Sequence, residues 1–155
     1  MSRRAQIVMT PEEIKDFLAD GKVANIATIG PNGRPHLVAL WYVPRGDGIA
    51  TWTYASSQKA ANLRRLAQAT VLVETGDTYD QLRGVSMECD VELVGDTEKV
   101  ALIGTELMRR YNSGEPEVAT AATQFVRVQA VKRVGLVLTP TKVVSWDHRK
   151  LGGTY

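Results

Sequence analysis

The run "VANIATIGPNGRPHLVALWYVPRGDGIATWTY", residues 23–54, decides the fold. VANIATI (23–29) and RPHLVALWYVP (34–44) are rich in apolar and β-branched residues and flank GPNG (30–33). RGDG (45–48) then separates the second run from IATWTY (49–54). Glycine, proline and asparagine between short apolar runs predict strands joined by tight turns. Turns this short join antiparallel neighbours, because a parallel pair needs a crossover of a dozen or more residues. The three runs therefore predict an antiparallel meander. Gly30 and Gly33 do not form a dinucleotide-binding loop, since its third glycine is missing and a strand, not a helix, follows.

Upstream, Thr10-Pro11-Glu12-Glu13 carries the signature of a capping box with proline in the first turn. Ile14, Phe17 and Leu18 give the helix one apolar face, and Gly21 ends it. Downstream, a helix over roughly 57 to 68 leads to the strand TVLVET (70–75). In LRGVSMECDVELV (82–94), Val85, Met87, Cys89, Val91 and Leu93 alternate with Ser86, Glu88, Asp90 and Glu92. That period of two puts one face in the core and the other in water. Val100, Ile103, Leu107, Met108 and Tyr111 recur at helical spacing and predict a helix over 97–111, and a second follows at 117–129. The last strand is VGLVLTPTKVVSWD (134–147), ahead of a polar tail. The sum is about six strands with flanking helices, and closure into a small barrel removes the exposed edges of an open sheet. The chain, 155 residues long, is read as one domain with an N-terminal arm at 1–8 and a tail at 147–155.

Composition narrows the function classes. Nineteen basic against seventeen acidic side chains, with no long run of one sign, argue against nucleic acid. No apolar run approaches the roughly 20 residues of a membrane-spanning helix, and the opening MSRRAQIVMTPEE lacks a signal-peptide core. The expectation is a cytoplasmic protein without membrane attachment. A single cysteine excludes an internal disulfide, and two histidines make a poor zinc set. No Ser-His-Asp order or Gly-x-Ser-x-Gly elbow is present.

The stretch SSQKAANLRR (56–65) carries the strongest chemical signal. Ser56, Ser57 and Lys59 gather at a helix start, where free N–H groups and the helix dipole favour an anion such as phosphate. The alternative is plain capping: a serine caps, Lys59 is solvated, and Arg64 and Arg65 complement the helix C-terminus. In HLVALWY (36–42), His36, Val38, Leu40 and Tyr42 face one way and Leu37, Ala39 and Trp41 the other. A strand apolar on both sides is covered on both sides, by core and by either a partner subunit or a flat ligand.

These stretches, in this order, resemble the flavin and deazaflavin oxidoreductases of the pyridoxamine-phosphate-oxidase-like split-barrel superfamily. VANIATIGPNGRPHLVALWYV, SSQKAANLRR, DTYDQLRGVSMECDVELVG and SWDHRKLG carry the resemblance, which spans most of residues 9–151. It implies a six-stranded antiparallel split β-barrel that forms a homodimer with two cofactor sites at the subunit interface. It further implies that Lys59, with Ser57 and Gln58, holds the cofactor phosphate. The strand carrying His36, Val38, Ala39 and Trp41 would run along the ring system, and Thr51 and Thr53 would lie near the phosphate and ribityl chain. Tyr79 would reach the ring from the partner chain, and Trp146 to Arg149 would lie near the interface. The clamp of basic and aromatic residues that holds the substrate phosphate in the vitamin B6 oxidase itself is missing near the C-terminus.

The activity this implies is hydride transfer between a deazaflavin, coenzyme F420, and a small organic acceptor, with FMN as the alternative cofactor. The cofactor supplies the hard chemistry and the protein supplies position and exclusion of water, so no catalytic side chain is assigned. His36 and Tyr79 are candidate proton donors. The acidic tail of a deazaflavin calls for a basic groove, for which Arg3, Arg4, Arg64, Arg65, Arg149 and Lys150 are candidates. A cofactor carrier without turnover is the competing class.

Overall fold

The computed structural model describes residues 2–112 and 116–153, without the side chains of 116–121. Met1 and the tail residues Thr154 and Tyr155 lie outside it. The described chain contains seven strands, β1 (Val23–Ile29), β2 (Pro35–Trp41), β3 (Val43–Arg45), β4 (Gly48–Tyr54), β5 (Gln68–Thr75), β6 (Arg83–Val94) and β7 (Arg133–Asp147). Its helices are α1 (Arg3–Gln6), α2 (Pro11–Asp20), α3 (Gln58–Arg65), α4 (Thr97–Tyr111) and α5 (Pro116–Ala130). Short 3-10 turns occupy Tyr79–Gln81 and His148–Leu151.

All strands join one antiparallel sheet in the order β2-β1-β5-β6-β7-β4-β3. The fold is mainly β with flanking helices, as expected, but the antiparallel sheet is a curled half-barrel of seven strands rather than a six-stranded barrel. The extra one arises because the run 34–44 is not a single strand. β2 and β3 are consecutive in the chain yet occupy opposite edges of the sheet, so the backbone passes from one edge to the other at Tyr42. The predicted meander is accordingly corrected. The β1–β2 hairpin forms, with Val23 opposite Trp41 and Ile29 opposite Pro35. β4, however, pairs with β3 and β7 and not with β2.

Tyr42 is fully buried, and its hydroxyl donates to the Leu18 carbonyl at 2.6 Å. Burial pushes its phenol up to about 12, with Arg110 opposing the shift. The α2 capping box is present: Thr10 Oγ1 accepts from Glu13 N at 3.2 Å, and Glu13 Oε2 accepts from Thr10 N at 2.7 Å. Gly21 ends α2 with an ordinary extended φ of −63°. Its requirement is steric, since a Cβ there would lie 2.5 Å from the Tyr42 hydroxyl.

Two apolar cores result. One fills the curl of the sheet with Ile26, Ile49, Val71, Val85, Met87, Cys89, Leu136 and Leu138, capped by Phe17 and Leu18 of α2 and Leu63 of α3. Cys89 faces inward, and burial raises its thiol to about 11. The second lies on the other side of β4, where Ala50 and Trp52 meet Val100, Ile103 and Leu107 of α4 and Val126 of α5. The ends of the chain clasp each other: Asp147 N donates to Ile7 O at 2.7 Å, and Lys150 binds Glu13 at 2.6 Å.

Candidate functional site

Ser57 is the N-cap of α3, its Oγ accepting from Ala60 N at 3.3 Å. The capping reading of this serine is therefore correct, and the cluster around it goes further. Thr53, at the end of β4, is buried, and its Oγ1 accepts from Lys59 Nζ at 2.9 Å and lies 3.3 Å from Ser57 Oγ. Strand end and helix start thus aim two hydroxyls and an ammonium at one spot. Burial lowers the Lys59 pKa below its usual value, and the positive charge of Arg133 lowers it further. A cation disfavoured in this way gains from a neighbouring anion.

Gln58 points along the helix to Asn62 Oδ1 at 2.8 Å, and Asn62 Nδ2 donates to Thr28 Oγ1 at 3.0 Å. Asn62 and Thr28 are both buried, so this chain bolts α3 to β1. Thr51 donates to the Trp41 carbonyl at 2.7 Å, tying the end of β2 to β4. Arg64 donates to Ala55 O at 2.9 Å and Arg65 to Ile29 O. Arg149 is paired with Asp147 at 2.7 Å, and Lys150 with Glu13. Four of the six residues considered for a tail groove are thus engaged within the chain.

His36, Val38 and Leu40 are half-buried, whereas Leu37 (65% exposed) and Trp41 (49%) lie open on the outer face with Ala39. Val23 and Ile29 on β1 extend this open face. Apart from Tyr111 of α4, which backs Trp41, the described chain leaves Leu37 and Ala39 exposed, so the second cover expected for an apolar two-sided strand is not fully supplied from within. Trp41 stacks on Tyr111 of α4, with ring centroids 4.4 Å apart and planes 6° from parallel.

Tyr79 is not brought to the Lys59 cluster. It lies in the turn after β5, in edge contact with His148 at 4.5 Å, and His148 Nδ1 is 2.9 Å from its carbonyl. Asn62 and Thr28 stand beside the start of β5, because Thr28 pairs with Ala69. The eight residues of β5 then separate this end from Tyr79, about 25 Å at strand rise.

Three contributors carried weaker signals. Thr28 is one polar residue in an apolar strand, and Tyr111 reads only as part of an amphipathic face. Arg133 begins β7, and its guanidinium lies over the Trp52 ring at 4.6 Å and the Tyr54 ring at 4.1 Å. Among the described residues, no group of three or more His, Cys, Asp or Glu side chains is arranged to hold a metal ion, and no helix is long and apolar enough to cross a membrane.

Residues 10–147 match the pyridoxamine 5'-phosphate oxidase family. The chain belongs to the split-barrel superfamily named for that enzyme. Among solved structures it is similar to a conserved hypothetical protein from Mycobacterium tuberculosis, at 41% identity and a TM-score of 0.88, covering 100% of this chain and 95% of that one. An F420 reductase shares the fold at 22% identity, with a TM-score of 0.66 over 83% of this chain and 94% of the other. The heme storage protein of Vibrio cholerae shares it at 18% identity, with a TM-score of 0.65 over 86% and 93%. No curated protein matches the sequence.

Proposed function

We propose that the protein is an oxidoreductase of the deazaflavin class, binding coenzyme F420 at the interface of a homodimer and acting on a small organic acceptor. The observation that carries this reading is the Thr53–Ser57–Lys59 cluster, in a chain whose apolar edge strand β2 leaves Leu37 and Ala39 exposed on its outer face. The donor set suits a phosphate: an ammonium, two hydroxyls and the α3 N-terminus. The bare strip of Leu37, Ala39 and Trp41 suits a flat ring and a second subunit. The F420 reductase of the same fold supports the choice of cofactor class.

Lys59 would hold the phosphate, with Thr53 and Ser57 orienting it, and Gln58 and Asn62 would fix the helix that presents them. Along the ring, β2 would offer the edge-strand backbone of His36, Val38 and Ala39, and Trp41 would bound one end. Tyr79, about a strand length from the Lys59 end, would serve the site of the partner copy. When bound and reduced, the deazaflavin would supply a hydride to an electron-poor double bond of the acceptor, with the dimer excluding water from the transfer, and a proton taken from solvent afterwards would complete the reduction.

A second reading, FMN in the same seat, is favoured by one observation. Arg64, Arg65, Arg149 and Lys150 already have partners, which leaves a long acidic tail fewer cations to meet. The test is a titration of the purified protein with F420 and FMN side by side, followed by tryptophan and cofactor fluorescence. F420 is expected to bind at least tenfold tighter than FMN. The reverse order would move the protein to the flavin branch, and binding of neither would reject both readings.

A further inference from the structure

Trp41 is the last residue of β2 and the next residue, Tyr42, is the crossing point between the two sheet edges. What fixes this corner comes from the far end of α4. Tyr111 Oη accepts from Tyr42 N at 3.0 Å and lies 2.8 Å from Tyr42 O, and it also meets the carbonyl of Lys22. Arg110 donates to Tyr42 O at 3.0 Å, to Leu18 O at 3.1 Å, to Ala19 O at 2.7 Å and to Gly21 O. The Tyr111 ring lies flat on the Trp41 indole. Lys22 approaches the same ring at 5.6 Å and Arg110 at 5.7 Å.

The Thr51 hydroxyl of β4 holds the Trp41 carbonyl, but the indole itself is half exposed. Without a backing surface its side chain would sample several rotamers, and ordering it on ligand binding would weaken affinity. Tyr111 removes that freedom in the free protein. Its hydroxyl pins the backbone of the next residue, and its ring sets the plane of the indole.

We propose that Tyr111 is a positioning residue for cofactor binding, holding Trp41 in one orientation so that the indole forms a fixed wall for the cofactor ring. This rests on the reading that the ring lies along β2. It does not follow from that reading, because a ring could equally be held by strand backbone alone with Trp41 free to move.

The experiment compares Tyr111→Phe with Tyr111→Leu. Both lose the hydroxyl, so the difference between them isolates the aromatic stack. The probes are F420 and, to isolate the phosphate, FMN and riboflavin, which share a ring and differ in that group. Tyr111→Leu is expected to bind each probe the wild type binds about three- to tenfold more weakly than Tyr111→Phe, the scale of an aromatic pair. The near-ultraviolet circular dichroism of the Trp41–Tyr111 pair should be kept in the phenylalanine variant and lost in the leucine variant. Lys59→Ala, by contrast, should weaken FMN and leave riboflavin unchanged. Wild-type protein that binds none of the three probes would overturn the ring site and with it the role of Tyr111. Wild-type binding with equal affinities in the two Tyr111 variants would overturn the role of Tyr111 alone. If the leucine variant fails to fold, Trp41→Leu gives the same readout, and unchanged affinity there equally overturns the proposal.

Discussion

The two ends of the candidate site are built on opposite terms. At the α3 end, Thr28, Asn62, Thr53, Ser57 and Lys59 are buried or half-buried, and with the exposed Gln58 they hydrogen-bond to partners inside the chain. At the far end of β1 and β5 the groups are aromatic and half exposed: Trp41 against Tyr111, and Tyr79 against His148. The polar end is finished before any ligand arrives, because a buried polar atom without a partner is costly. The aromatic end can stand open, because a ring face in water loses little until something dry covers it. On the proposed reading, the phosphate end would be set by the fold, and the ring end, apart from the indole backed by Tyr111, would be completed by a ligand and a second subunit.

The comparison breaks most visibly at Asn62. Asn62→Ala removes two hydrogen bonds and leaves the buried Thr28 hydroxyl without its donor, so the protein should lose about 2–3 kcal/mol of stability in urea or thermal melts. A loss no larger than that of an exposed helical position would show that the polar end is not prebuilt. Lys59→Ala sharpens the comparison from the ligand side. Cofactor affinity should fall about tenfold to a hundredfold, while stability should change by about 1 kcal/mol or less, since the buried Thr53 hydroxyl keeps Ser57 as a partner. Because its folded pKa is lowered, affinity for a phosphate-bearing cofactor should decline with rising pH before an unperturbed lysine would titrate. A wild-type affinity flat through that range would remove the ammonium from the seat.

The smallest effect lies beside the aromatic end. Arg149 holds the Asp147 carboxyl below the ordinary carboxylate range through a hydrogen-bonded ion pair. A depressed folded pKa contributes stability that is present above the unfolded value and lost as pH falls through the folded one. Wild type should therefore lose stability below about pH 4 more steeply than Asp147→Asn. Parallel acid-denaturation curves for the two proteins would contradict the assignment.

Much of this was legible in the sequence because local rules governed it. The capping box at Thr10–Glu13, the bounds of β1 and α4 and the period-two burial of β6 all follow from neighbours a few residues apart. The break at Tyr42 was not legible. HLVALWYV carries no glycine or internal proline, and the switch is imposed by Leu18 and by Arg110 and Tyr111, about 70 residues away, acting on one backbone corner. For the same reason Lys59 could be picked out from its motif, whereas its acceptor Thr53, a threonine in an apolar strand, was placed only through the family resemblance. Tyr111 belonged by spacing to an apolar helix face, and nothing local says that its hydroxyl meets backbone. Seven strands instead of six is the same lesson, since strand number here depends on a long-range contact.

The crossing at Tyr42 also bears on how the sheet breathes. In most open sheets the two edges fray independently, each exchanging its amide hydrogens on its own schedule. Here the edges are successive segments of one strand-length of chain, riveted by one tyrosine, so loosening either edge pulls on the other. Amide exchange at β2 and β3 should follow a single opening event, and a ligand seated on one edge should slow exchange at both.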